Sequence, residues 1–142
     1  MENKILRILL ADDDEGDRLL FKDALLELDS KHIVHIVNNG MELMAYLTQK
    51  ETILPDLIFL DLNMPRKNGL ECLKEIRSNS DFKKISIAIY STSAAEKDVS
   101  ETFRSGANLY IKKPNNFANL NQLLCKVLII NHPPPHLPRQ IL

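Results

Sequence analysis

No apolar run in the sequence approaches the roughly 20 residues that a membrane-spanning helix needs. The opening residues, Met1-Glu2-Asn3-Lys4-Ile5, lack the apolar core of a secretory signal, so a cytoplasmic location is expected. Cysteine is scarce: Cys72 and Cys125 lie far apart and form no C-x-x-C pair, which points away from a zinc site or a redox motif. Two lone thiols on helical patterns are expected as small core residues in a reducing compartment. Charge of one sign is also missing. A net charge of −1 supplies no basic field to recruit nucleic acid. None of His32, His35, His132 and His136 stands in a metal-ligand pattern. There is no internal repeat and no long linker, and 142 residues with 44% hydrophobic content suit one domain with a real core.

What is present alternates. Ile5–Ala11 is a branched apolar strand that ends in Asp12-Asp13-Asp14-Glu15, Gly16 and Asp17. Arg18–Asp29 has helical spacing, with acids before it that suit the positive end of a helix dipole. His32–Val37 is a second strand and Met41–Gln49 a short helix. Asp56–Asp61 is the central strand. Its continuous run Leu57-Ile58-Phe59-Leu60, broken by Pro65 and Gly69, marks a strand buried on both faces. Leu70, Leu73 and Ile76 make a third helix, Ser78–Lys84 a loop, Ile85–Tyr90 a fourth strand and Ala94–Ser105 a fourth helix with Gly106 at its C-cap. Asn108–Lys112 is a fifth strand and Phe117–Asn131 a fifth helix.

Five strand–helix repeats imply right-handed crossovers and an α/β fold, a doubly wound parallel sheet covered on both faces. The common open arrangement of that kind is (βα)5 flavodoxin-like, with strand order 2-1-3-4-5. The domain spans 1–131. The tail 132–142 holds four of the seven prolines and is expected as an extended appendage that cannot continue the last helix.

In that order strands one and three are neighbours, and their carboxyl ends carry Asp12, Asp13 and Asp61. Three converging carboxylates repel one another and call for a hard divalent cation such as Mg²⁺, which keeps positions open for phosphate. Lys113, at the end of strand five, adds a compensating charge. Alternation along the strand lets only one of Lys112 and Lys113 face the crevice. Such a site suits phosphoryl transfer to an aspartate nucleophile, with Ser91 after strand four available to bond the phosphoryl oxygen. The run Ser91-Thr92-Ser93 leaves that hydroxyl open by one residue. The acidic run is not an EF-hand, because Gly16 has the wrong offset and Asp23 stands where a glutamate is needed.

The acids after strand one, LDLNMP-x-x-NG around Asp61, the hydroxyl after strand four and Lys113-Pro114 together resemble the receiver domain of two-component response regulators. The resemblance covers about residues 5–131. It implies that Asp61 is the phosphoacceptor, and that Asp13, Asp61 and the backbone carbonyl of Asn63 bind Mg²⁺ directly. It also implies that Asp12 acts through metal-bound water, that Lys113 contacts the phosphoryl group, and that Ser91 and Tyr110 form the switch pair. Family members often have a cis lysine–proline bond, so a cis Lys113-Pro114 is expected. The text DDDEGDRLL with FLDLNMPRKNGLE resembles the stand-alone regulators paired with phytochrome-type sensor kinases.

The expected partners are therefore a sensor histidine kinase or phosphotransfer domain, a downstream protein target, and no nucleic acid or membrane. Excess apolar residues at Ile129 and Ile130 and the proline-rich tail point to a homodimer. No enzymatic turnover is expected beyond slow self-dephosphorylation. Two alternatives stand beside this reading. One is a phosphatase of haloacid-dehalogenase type resting on the acids after strand one, which leaves Asp61 unexplained. The other is a pseudo-receiver that only binds partners.

Overall fold

The computed structural model describes residues 5–28, 31–130 and 140–142. Its sheet begins with β1 (Arg7–Ala11), β2 (Ile33–Val37), β3 (Leu57–Leu60), β4 (Ser86–Ser91) and β5 (Leu109–Lys112). Between them run α1 (Glu15–Leu28), α2 (Gly40–Thr48), α3 (Gly69–Arg77) and α4 (Glu96–Arg104), and α5 (Phe117–Ile130) follows β5. All strand pairs are parallel and these five stand in the order β2-β1-β3-β4-β5, as expected. The loop before β4 contains one 3-10 turn, Ser80–Phe82.

The hydrophobic run of β3 is buried along its whole length, as is β4, because each lies under helices on both faces. The sheet divides the core. On one face Leu9, Ile58, Leu60, Ile87, Ile89 and Tyr110 pack with α2, α3 and α4 residues such as Leu43, Leu73 and Ile76. On the other, Ile8, Leu10, Phe59, Tyr90 and Ile111 pack with Phe21 and Leu25 of α1 and Leu120, Leu124 and Val127 of α5. Asn121 Nδ2 donates to Ala24 O at 3.2 Å and ties these two helices together. Cys72 is in the core as expected, whereas Cys125 is on the exposed side of α5.

Two expectations about the chain's end need correction. Among the described residues the sheet has six strands, because β6 (Gln140–Ile141) adds to the outer side of β5. An edge strand presents unpaired N–H and C=O groups. Here Leu142 N–H donates to Tyr110 O at 2.7 Å and Lys112 N–H to Leu142 O at 3.2 Å. A two-residue strand beyond a proline-rich stretch has no periodicity to reveal it. The rest of the tail, 131–139, with Asn131, His132 and His136, lies outside the described residues. The other correction is at Lys113-Pro114. The described residues contain no cis peptide bond, so that bond is trans.

The helix starts explain the motif residues around the central strand. Asn68 caps α3: its Oδ1 accepts from Glu71 N–H at 2.9 Å, and Glu71 Oε1 accepts from Asn68 N–H at 3.0 Å. Gly69 follows because the chain doubles back onto the strand. A Cβ there would lie 2.2 Å from Asp61 O. At the other end of the molecule Gly106, with φ 110, closes α4 in the left-handed conformation. Its N–H donates to Phe103 O at 3.1 Å, and Ala107 N–H to Thr102 O at 3.0 Å.

Gly69→Ala is expected to destabilise the domain by about 1–3 kcal/mol, since backbone must move to admit the methyl group. Urea unfolding followed by circular dichroism measures this. An unchanged midpoint would show that the turn relaxes freely.

Candidate functional site

Asp12, Asp61 and Lys113 are each the first residue beyond a strand, and the N–H of each still bonds the neighbouring strand. Asp12 N–H donates to Val37 O at 3.2 Å, Asp61 N–H to Ala11 O at 3.0 Å and Lys113 N–H to Ser91 O at 2.8 Å. The sheet's ladder thus fixes the backbone of all three groups at one edge, the carboxyl edge where parallel sheets bind ligands. Asp12, Asp13 and Asp61 each offer one oxygen, and these oxygens lie within 4.8 Å of one another. Asp13 is exposed while Asp12 and Asp61 are buried.

Lys113 Nζ sits among acids. It is 2.9 Å from Asp12 Oδ2, 2.8 Å from Asp17 Oδ2 and 3.5 Å from Asp61 Oδ2. It also stands 5.3 Å from the centroid of the Tyr90 ring. Tyr90 in turn packs edge-on against Phe21 and Phe59, so an aromatic cluster of the core supports the lysine from below. Of the two candidate lysines, Lys113 enters the crevice and Lys112 is exposed.

Burial pushes the Asp61 carboxyl up to about 6, against the lowering charge of Lys113. Burial also raises Asp12, opposed by its pairing with Lys113 and by the Asp14 N–H. For Lys113, burial alone disfavours the ammonium. Bonding to Asp12 and Asp17 outweighs it and holds the group above its ordinary value. The Asp12 Oδ2 contact with Lys113 is an ion pair rather than a well-formed hydrogen bond, so this buried oxygen has no hydrogen-bond donor. A buried, under-satisfied carboxylate oxygen beside two further acids is the donor set of a hard divalent cation such as Mg²⁺. Asn63 N–H donates to Asp61 Oδ1 at 3.3 Å, which keeps the residue 63 backbone beside that carboxylate.

Ser91 is fully buried, Thr92 exposed and Ser93 half-buried. Ser91 Oγ accepts from Ser93 N–H at 3.2 Å. Tyr110 is fully buried, turned inward, and its hydroxyl donates to Ser93 O at 2.7 Å. Ser93 Oγ donates to Asp98 Oδ2 at 2.7 Å and accepts from Ala95 N–H, so the β4–α4 loop is pinned from β5 and from α4.

The sequence reading missed two of these groups, Asp17 and Tyr90. It began α1 at Arg18, whereas the helix starts at Glu15. Asp14 Oδ1 accepts from Asp17 N–H at 2.8 Å in the manner of an N-cap. Recognising Asp14 as the cap would have placed Asp17 in the first turn and facing the crevice. Asp14 spends its carboxylate on that cap and is exposed, so nothing in the site favours an Asp12-x-Asp14 phosphatase centre.

Asp61 has a folded-state pKa raised above its unfolded value, so the protonated form favours folding. Its contribution is fully present below about pH 4, and is lost as pH rises through about 6. Without a divalent cation, Asp61→Asn is therefore expected to raise the melting temperature at pH 8 and to change it little at pH 4, with a gain on the order of 1–3 kcal/mol at the higher pH. Mg²⁺ is expected to stabilise the wild type more than the variant. Thermal unfolding across pH, with and without Mg²⁺, checks both.

The sequence matches the response regulator receiver domain family over residues 8–125. The response regulator Rcp1 of Synechocystis is 35% identical over 121 residues, 82% of each chain. The chemotaxis protein CheY1 of Helicobacter pylori is 30% identical over 109 residues, 77% of this chain and 86% of its own. Among solved structures, the phosphorylated cyanobacterial phytochrome response regulator RcpA superposes with a TM-score of 0.81 at 38% identity, covering 87% of this chain and 91% of RcpA. The Mn²⁺-bound form of Rcp1 superposes with a TM-score of 0.79 at 33% identity, covering 86% and 91%. Fold, acidic centre and sequence agree that the chain belongs to the response regulator receiver domain family, the phosphorylation switches that bind a divalent cation and take their phosphoryl group from a histidine kinase.

Proposed function

We propose that Asp61 is the phosphoacceptor of this receiver, with Asp12, Asp13, Asp61 and the carbonyl of Asn63 forming the Mg²⁺ site. The observation that carries this is the buried Asp61 carboxylate 3.5 Å from the Lys113 ammonium and within 4.8 Å of two further acids. An Asp61 oxygen attacks the phosphorus of a phosphohistidine. The bond to that oxygen forms as the P–N bond breaks, and the imidazole leaves. When bound, the cation supplies charge neutralisation at the phosphoryl oxygens and orients them. Lys113 holds the remaining negative charge, and the exposure of Asp13 leaves the centre open on the side from which a donor approaches.

Ser91 and Tyr110 carry the signal outward. A phosphoryl oxygen on Asp61 accepts from the Ser91 hydroxyl and draws its oxygen away from the Ser93 N–H that now donates to it, and Tyr110 senses the loop through its bond to Ser93 O. The readout surface is α4, β5 and α5. The chain acts as a stoichiometric acceptor in the cytoplasm rather than as a turnover catalyst, and its output passes to another protein. Likeness to Rcp1 and RcpA supports a phytochrome-type kinase as donor. Self-association belongs to the same reading, since Ile129 of α5 is 66% exposed.

Acetyl phosphate with Mg²⁺ is expected to add one phosphoryl group to the wild type by mass spectrometry. Asp61→Asn or chelation of the metal is expected to abolish it. Labelling that survives Asp61→Asn removes this acceptor. Sedimentation at high concentration, with and without beryllofluoride, is expected to show a dimer, and a monomer under both conditions removes that part.

A further inference from the structure

We propose that Asp17 is a positioning residue that competes with the phosphoryl group for the Lys113 ammonium. It thereby sets how readily the lysine swings onto phosphorylated Asp61. This rests on the reading of Asp61 as acceptor and Lys113 as its phosphoryl contact.

The local geometry shows a carboxylate diverted from its ordinary use. Asp17 N–H is capped by Asp14 Oδ1 at 2.8 Å, which puts Asp17 at the third position of α1. In a capping box the acid at that position turns back to the N–H of the cap residue. Here Asp14 N–H is already taken by Asp12 Oδ1 at 3.0 Å. The Asp17 carboxylate instead accepts from Lys113 Nζ at 2.8 Å, across 96 residues of sequence.

The three distances to the amine are unequal in a way that matters. Asp17 at 2.8 Å and Asp12 at 2.9 Å hold it closely, and Asp61 at 3.5 Å loosely. A phosphoryl group on Asp61 adds oxygens on the loosely held side. A shift of the amine toward those oxygens stretches its close contacts with Asp12 and Asp17. Asp12 is fully buried and cannot be released to water without leaving a bare charge. The Asp17 side chain is 35% exposed, so water can replace the lysine there at little cost. Asp17 is therefore the partner that lets go, and its hold opposes the activated arrangement.

Beryllofluoride affinity in saturating Mg²⁺, measured by titration calorimetry, tests this on the full chain. Asp17→Asn is expected to bind the phosphoryl mimic about threefold to tenfold tighter than wild type. Asp17→Glu, which restores the charge, is expected to stay within about twofold of wild type. In a Lys113→Met background the Asp17→Asn gain is expected to fall below about twofold, because the effect runs through the amine. Before any mimic is added, the Lys113 Nζ resonance in ¹⁵N NMR is expected to move in Asp17→Asn and to be restored in Asp17→Glu. Circular dichroism checks folding, and Asp17→Ser replaces Asp17→Asn if the latter is unfolded. Unchanged or weaker binding in the folded variant overturns the proposal. So does a gain that persists undiminished in the Lys113→Met background, which would mark a general charge effect. Failure of the acceptor reading looks different: the wild type then takes up no beryllofluoride, or Asp61→Asn takes it up equally well.

Discussion

The Lys113 ammonium is the interaction on which the rest of the site depends. Asp12 and Asp61 are buried, and burial raises both carboxyls above their ordinary range. Unpaired charges in that position would be costly enough to drive protonation. The lysine contacts Asp12, Asp17 and Asp61 together, and its charge opposes the upward push of burial on Asp12 and Asp61. One ammonium does not neutralise the pocket, because Asp13 stands beside it as well. The remaining negative charge is what a divalent cation answers, and a phosphoryl group then enters a centre that is no longer strongly repulsive.

The sheet converts this charge problem into a fixed geometry. Asp12, Asp61 and Lys113 are far apart in sequence, yet each is the residue after a parallel strand and each is anchored by a backbone bond to its neighbour. The strand order places β1 and β3 side by side, so their terminal acids converge. Gly69 and Asn68 belong to the same construction. They bring α3 close over the Asp61 carbonyl and cap it there.

The acidic centre is exposed at Asp13. On the β4 side, Ser93 bonds both Ser91 and Tyr110, which links the loop before α4 to β4 and β5. The end of the chain reaches the same region, since Leu142 bonds to Tyr110 and Lys112 of β5.

Strand identity was legible because burial on both faces leaves an unmistakable apolar run, as in Leu57–Leu60. Asp12, Asp61 and Lys113 were legible because each terminates such a run, and position along a strand is a sequence property. Two things were not. Which acid of the run Asp12–Asp17 turns toward Lys113 depends on where α1 begins, and that is decided by Asp14 capping Asp17 rather than by apolar periodicity. The pairing of Gln140–Ile141 with β5 depends on an open sheet edge, which no local pattern announces. The sequence by itself therefore determined the alternating architecture and the residues at the strand ends, through hydrophobic periodicity and turn chemistry. Only the tertiary structure decided how the Lys113 amine divides itself among Asp12, Asp17 and Asp61, because that division is a matter of distance and burial between groups that are far apart in sequence.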